Sequence, residues 1–198
     1  LSMTPLDLGL IAGAYLVGSL SSAILVARAA GLDDPRQTGS GNPGATNMLR
    51  HAGRRAAALV FALDFLKGLL PTLIAAGIGS GPPAVAVTAI AACAGHIWPL
   101  YFSFRGGKAV ATYAGAAFGL SGALGVVFVG VWLGFVMATR ISSVGALAAC
   151  AVLPPAAWLL GLPGTVVAAV AALSLTVVAR HRSNIRKLLA GTEGRITR

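Results

Sequence analysis

Between Lys108 and Arg140 the chain carries no charged residue, and no other feature restricts its fold as tightly. As one helix this stretch would reach about 48 Å at 1.5 Å per residue, well beyond the roughly 30 Å hydrocarbon core of a bilayer. Gly119-Leu120-Ser121-Gly122 in its middle is a natural break, so the stretch reads as two helices, about 108–120 and 122–139. Apolar runs of spanning length recur elsewhere: about 6–27, 56–78, 83–102, 142–160 and 164–180, the last two separated by Gly161-Leu162-Pro163-Gly164. The composition agrees, with 57% hydrophobic residues, 10% charged residues and a mean hydropathy of +0.84, against about 25% charged in an ordinary soluble domain. An all-α, polytopic membrane bundle of seven transmembrane helices follows, one domain over residues 1–198. Leu1-Ser2 precede Met3 and are expected to be a cloning remnant, and the first apolar run is long enough to be a spanning helix and not a cleaved signal.

Charge placement tests the count. With seven spans, the loops on one side are 28–55, the segment around Arg105 to Lys108, the turn at Arg140 and the tail from Arg180. They hold 14 of the 15 Lys and Arg, the exception being Lys67 inside the second span. The opposite loops, 79–82, 119–122 and 161–164, carry no charge. Six spans would put Arg140 on the uncharged side and the basic tail on the wrong one. The positive-inside rule therefore predicts an N-terminus outside and a C-terminus in the cytoplasm. The net charge of +10 is accounted for by topology and anionic ligands, with no need of nucleic acid. In the tail, Ile185, Leu188 and Leu189 share one helical face and Arg182 and Arg186 another, with Gly191 as a stop. That pattern predicts a short amphipathic helix at the cytoplasmic interface.

Three polar clusters fall on the basic side. The first is Gly39-Ser40-Gly41-Asn42-Pro43-Gly44-Ala45-Thr46-Asn47, closed by Arg50. Small residues allow backbone N–H groups close to a ligand, hydroxyls and amides donate hydrogen bonds, and Arg adds a fixed charge. Together they suit a phosphate. The second is Gly95-His96-Ile97-Trp98-Pro99 with Phe104-Arg105-Gly106-Gly107-Lys108, and the third is Arg180-His181-Arg182-Ser183-Asn184. A site built from all three has Arg50, Arg105, Lys108, Arg180 and Arg182 as candidate cations and almost no carboxylate to oppose them. Each piece also has a plain structural explanation. The glycines and proline would make turns, Arg105 and Lys108 would anchor a cytoplasmic loop, His96 would be a satisfied helix-end histidine, and Trp98 and Tyr101 would belong to an interfacial belt. The functional reading gains from the return of all three clusters to one face.

Other polar residues point less directly to chemistry. Asp64 and Lys67 lie three apart on one helical face and at a depth where charges must pair, which favours a structural ion pair within the bundle. Cys93 and Cys150 sit in apolar runs as buried thiols. With five acidic residues in the chain and three dispersed His, no cluster has metal-ligand spacing, so neither a metal nor another cofactor is expected.

These clusters resemble motifs of a known family, the bacterial acyl-phosphate:glycerol-3-phosphate acyltransferases. Residues 39–47 with Arg50 are similar to its first motif. Gly95-His96, Pro99 and Phe104-Arg105-Gly106-Gly107-Lys108 through Ala111-Thr112 are similar to its second. His181-Arg182-Ser183-Asn184 through Leu188-Leu189-Ala190-Gly191-Thr192-Glu193 are similar to its third, and Asp64…Lys67-Gly68 and Tyr15…Gly18-Ser19 also look familial. The chain departs from the pattern at Ala109, where Gly is usual, at Ser183, where Glu is usual, and in the loose segment Ile141-Ser142-Ser143.

The resemblance implies a seven-helix enzyme of phospholipid synthesis in the bacterial cytoplasmic membrane, its active site on the cytoplasmic side. It would transfer a fatty acyl group from acyl phosphate to the 1-hydroxyl of glycerol 3-phosphate, giving lysophosphatidic acid and phosphate. Ser40, Gly41, Asn42, Thr46, Asn47 and Arg50 would recognise phosphate. Arg105, Gly106, Gly107 and Lys108 would form a second wall that grips glycerol 3-phosphate, and His181 and Asn184 would orient the substrates. Ser40, Arg50, Lys108, His181 and Asn184 are the expected catalytic set. The acyl tail would lie in a groove open to lipid. The donor is already a mixed anhydride, so the protein has mainly to position two anions and stabilise the leaving phosphate. No Ser/His/Asp order suggests an acyl-enzyme, and no acid follows His96 four residues on. His181, His96 and the donor's own phosphate are the candidate proton acceptors. The main competing reading, a transporter of an organic phosphate, would place binding groups near the midplane between related halves, and no repeat is visible. A metal-dependent phosphatidyltransferase would need several Asp on one helix, and only Asp33-Asp34 occur together. The oligomeric state stays open, and a monomer is compatible with the sequence.

Overall fold

The computed structural model describes residues 3–196. Leu1 and Ser2, read above as a cloning remnant, lie outside the described residues. Ten α-helices follow one another: α1 (Pro5–Gly18), α2 (Ser22–Ala29), α3 (Ala45–His51), α4 (Gly53–Gly77), α5 (Pro82–Ile97), α6 (Val110–Leu120), α7 (Gly122–Thr139), α8 (Ser142–Leu159), α9 (Gly164–Arg180) and α10 (Arg182–Leu189), with a 3₁₀ turn at Leu100–Phe102. Four of these spans are long and apolar enough to cross a membrane: α4, α5 with its 3₁₀ extension, α7 and α8. Two bent pairs, α1 with α2 at 44° and α9 with α10 at 58°, bring the number to as many as six.

One sequence expectation changes here. The first span is not one helix over 6–27. It breaks after Gly18, where Ser19 turns its hydroxyl back to the Tyr15 carbonyl (2.8 Å) and Lys67 Nζ donates to the Leu20 carbonyl (2.9 Å). Helix α6, expected as a short helix, has 11 residues, about 16 Å at 1.5 Å per residue, less than the thickness of a hydrocarbon core. None of its residues is exposed. A Cβ on Gly68 would collide with the Thr112 carbonyl and one on Gly115 with the Phe65 carbonyl, so glycine is what lets α4 and α6 touch backbone to backbone. Tyr113 on α6 is fully buried. Its hydroxyl donates to the Val170 carbonyl of α9 (2.8 Å), and its ring meets Phe128 of α7 edge-on at 5.3 Å. A short helix wrapped by longer ones starts and stops where they place it, and this puts its N-terminus, just after Lys108, beneath the polar end of the bundle.

The break at 119–122, the turn at 161–164 and the tail helix fall where the sequence puts them. Gly191 adopts φ +69° and stops α10, with its N–H on the Leu188 carbonyl and that of Thr192 on the Lys187 carbonyl. Leu189 is 85% exposed on this helix. The charged segments gather at one end of the bundle. Thr46 Oγ1 meets Ser142 Oγ at 3.2 Å, Arg50 donates to the Gly194 carbonyl at 3.0 Å, and the Ile196 N–H donates to the Arg140 carbonyl at 2.7 Å.

Candidate active site

At this end a cavity of about 170 Å³ opens between α3, the start of α6, α7, α8, the α9–α10 junction and the tail. Its lining is mixed: polar side chains Ser40, Thr46, Arg50, Lys108, Ser142, Ser143, His181, Asn184 and Glu193 stand with the apolar Phe61, Ala114, Phe128, Val129 and Trp132. The cavity therefore suits a molecule with an anionic head and a hydrocarbon tail.

The first motif forms its wall through Asn47, which is 2% exposed. Its Oδ1 accepts from the Ser40 N–H (3.1 Å), and its Nδ2 donates to the carbonyls of Pro35 (2.9 Å) and Thr38 (3.1 Å). Both amide protons are thus engaged within the loop. Asn47 shapes the wall, and Ser40, Asn42, Thr46 and Arg50 are the other polar side chains of this motif that line the cavity. Gly41 lies behind the wall, its N–H on the Thr38 carbonyl (3.0 Å) and its φ at +68°, a turn residue and not a lining one.

The second motif divides in a similar way. Lys108 reaches the cavity and hydrogen-bonds the Asn184 side-chain oxygen. Arg105 is exposed and does not line the cavity. Gly106 and Gly107 point their N–H groups at the carbonyls of Ile97 (3.2 Å) and His96 (3.1 Å), leaving no donor for a ligand. Of the expected second wall, only Lys108 faces the cavity. Burial, with Lys187, Arg180 and Arg50 nearby and Glu193 opposing them, pushes the Lys108 amine down to about 8.

His181 is 3% exposed at the α9–α10 bend. Its Nδ1 sits 2.8 Å from the Val177 carbonyl, which assigns the proton to Nδ1 and leaves Nε2 as an acceptor. Burial pushes this histidine down to about 4, so it is neutral at physiological pH. Glu193 had no role in the site by sequence, yet its Oε1 accepts from Asn184 Nδ2 (2.6 Å) and Ser143 Oγ (2.8 Å). Glu193 belongs to the third motif, which was the available signal. Ser142 and Ser143 gave none, because their partners lie far off in the chain.

Asp64 on α4 and His96 on α5 also line the cavity. Lys67 Nζ stands 2.9 Å from Asp64 Oδ1, and His96 Nδ1 is 3.5 Å from the same oxygen and 3.2 Å from Thr112 Oγ1. All three ionisable side chains are buried. Lys67 thus pairs with Asp64 on its own helix and ties α4 to the α1–α2 break. Among the described residues, no three His, Cys, Asp or Glu side chains gather at one point.

A bundle that is all-helical among the described residues, with several apolar spans and a cavity of mixed polar and apolar lining at its basic end, is the architecture of an integral membrane protein. Residues 8–191 match the family described as Glycerol-3-phosphate acyltransferase. The chain belongs to that family. It is 46% identical over 198 residues to the glycerol-3-phosphate acyltransferase of Shewanella sediminis, covering 100% of this chain and 98% of the relative. It is 48% identical over 188 residues to that of Thioalkalivibrio sulfidiphilus, covering 94% and 92%. Among solved structures it is similar to PlsY (YgiH), an integral membrane glycerol 3-phosphate acyltransferase, in its glycerol 3-phosphate form. The TM-score is 0.93 at 36% identity, with 96% of both chains covered. The lysophosphatidic acid form of PlsY gives 0.90, with 96% of this chain and 95% of that one covered.

Proposed function

We propose that this protein transfers a fatty acyl group from acyl phosphate to the 1-hydroxyl of glycerol 3-phosphate, releasing lysophosphatidic acid and inorganic phosphate. The observation that carries this reading is the mixed lining of the cavity, in which cations and neutral donors stand beside apolar side chains. Such a lining suits a polar head with an acyl chain, and the family and the glycerol 3-phosphate and lysophosphatidic acid forms of PlsY support an acceptor and a product of that kind.

In this mechanism Arg50, Ser40, Asn42 and Thr46 bind one phosphate from the α3 side, and Lys108 with Asn184 binds the other. The hydroxyl oxygen attacks the acyl carbonyl carbon, the bond from that carbon to the phosphate oxygen breaks, and the charge that develops falls among fixed donors. The hydroxyl proton leaves to an acceptor in the site. His181 Nε2 is available but weakly basic, so the phosphate oxygens are the better acceptors. Glu193 orients Asn184 and Ser143.

In the membrane, the reading is of seven passes, with α1–α2 as one bent span, α6 as a short shielded one and α9 as the last. The N-terminus lies outside, and the site faces the cytoplasm at the bacterial inner membrane. The excess of Lys and Arg at the cavity end supports that orientation. The test is phosphate release from palmitoyl phosphate by the purified protein in detergent or nanodiscs. Release that depends on glycerol 3-phosphate and yields lysophosphatidic acid is expected. Release that is independent of glycerol 3-phosphate, or transfer only from acyl thioesters, would overturn the proposal.

A further inference from the structure

The backbone that presents Lys108 follows a path its own residues disfavour. Ser103, Phe104 and Ala109 all lie in the left-handed region, with φ of 55°, 57° and 62°, and none is glycine. A run of this kind persists only when surrounding contacts hold it. One edge of the segment is tied down by the N–H groups of Gly106 and Gly107 on the carbonyls of Ile97 and His96. The carbonyls of the same two glycines are held by a side chain from α9. Arg180, the last residue of α9, donates from Nε to the Gly107 carbonyl (3.3 Å) and from Nη2 to the Gly106 carbonyl (3.2 Å). Its guanidinium is half-buried and is not part of the cavity wall. By sequence Arg180 was one of five candidate phosphate cations; in the structure it is turned onto backbone.

We propose that Arg180 is a positioning residue: its guanidinium clamps the Gly106 and Gly107 carbonyls and so fixes the Lys108 amine at the cavity wall. This rests on the reading of Lys108 as the group that grips the phosphate of glycerol 3-phosphate. The planar fork matters more than the charge. Two adjacent carbonyls are bridged by two N–H groups held in one plane, and an ammonium at the end of a flexible stem does not reproduce that geometry. Arg180 acts with α9 as a brace, linking the end that bears His181 to the loop that bears Lys108, so both sides of the phosphate site are set by one helix.

The experiment compares wild type, Arg180→Lys, Arg180→Gln, Lys108→Ala and the Arg180→Lys/Lys108→Ala double variant, each checked for folding by thermal melting. With palmitoyl phosphate and glycerol 3-phosphate as substrates, Arg180→Lys and Arg180→Gln should each raise KM for glycerol 3-phosphate about tenfold or more. KM for palmitoyl phosphate should stay within about twofold of wild type. In the Lys108→Ala background, Arg180→Lys should change the residual rate less than twofold. A second readout does not depend on the reaction: modification of lysine amines followed by mass spectrometry. Arg180→Lys should speed labelling of Lys108 several-fold, with buried Lys67 and exposed Lys187 as internal references. Wild-type kinetics in Arg180→Lys would overturn the clamp. So would independent, multiplying effects in the double variant, unchanged Lys108 labelling, or loss of the folded state in both Arg180 variants, since a loop clamp is not required for the bundle. A wild-type protein that does not use these substrates would instead sink the functional reading, and the labelling result would still stand on its own.

Discussion

The segment that leads to Arg50 holds itself together, whereas the segment that leads to Lys108 is held by its neighbours. In the first, glycines take the left-handed positions, Gly39 at φ +56° and Gly41 at +68°, and one side chain, Asn47, ties Pro35, Thr38 and Ser40. A Cβ on Gly39 would strike His51 and Asn47, so residue choice and shape agree locally. In the second, non-glycine residues occupy the left-handed positions, and the fixing contacts come from α5 and α9. Two loops that each bring a cation to the cavity wall are thus encoded at different levels, one by local sequence and the other by tertiary contact.

Removing the cation itself is the strongest way to test this contrast. Lys108→Ala should lower kcat/KM for glycerol 3-phosphate about a hundredfold, the scale of a lost charge-assisted hydrogen bond in a buried site, while the melting temperature stays near wild type. An unaltered rate would remove Lys108 from the site. Next comes Asn47→Ala, which deprives three backbone groups of their partner. It should cost about 2–4 kcal/mol of stability as well as activity, whereas Lys108→Ala costs activity alone. Equal melting curves for the two would erase the distinction between a loop that carries its own support and one that does not.

The pH profile gives a third, smaller effect. Lys108 is lowered to about 8 from an ordinary value of 10.5. The charged amine is lost as pH rises through that value, so kcat/KM for glycerol 3-phosphate should fall about tenfold per pH unit above it. Stability should move the other way. Between about 8 and 10.5 the unfolded chain binds more protons at this lysine than the folded one, so this group's contribution to stability rises with pH. A flat rate up to pH 10 would mean that the amine is held charged. The smallest effect is expected at Ala109. Ala109→Gly relieves a left-handed alanine, worth about 1 kcal/mol, and loses a buried methyl of similar worth. The melting temperature should hardly move, and the rate should fall no more than about threefold while Arg180 still clamps the loop. A larger loss would show that Ala109 itself stiffens the Lys108 segment.

Much of the architecture was legible because lipid imposes simple rules. Long uncharged runs, Gly-rich breaks at 119–122 and 161–164, and an excess of Lys and Arg on one set of loops are all written in composition along the chain. Local chemistry was legible in the same way: the Gly39–Asn47 loop, the helix stop at Gly191 and the pairing of Asp64 with Lys67 each depend on residues a few positions apart. Membership of a motif did not tell which residues face the ligand. Asn47, Gly106, Gly107 and Arg180 all sit in phosphate-like clusters, yet their polar groups are turned onto protein backbone.

What the tertiary structure alone decided concerns partners brought from far along the chain. Thr46 meets Ser142, Arg50 meets the Gly194 carbonyl, Ser143 and Asn184 share Glu193, and Arg180 reaches back to Gly106 and Gly107. The break between α1 and α2 belongs to the same class, since it depends on what packs alongside. The sequence determined that this chain is a helical membrane protein with donor-rich loops on its basic side, because hydropathy, charge and turn chemistry act over a few residues. The structure decided which donors remain free to meet a substrate, because a hydrogen-bonding group is spent or available only once its spatial neighbours are fixed.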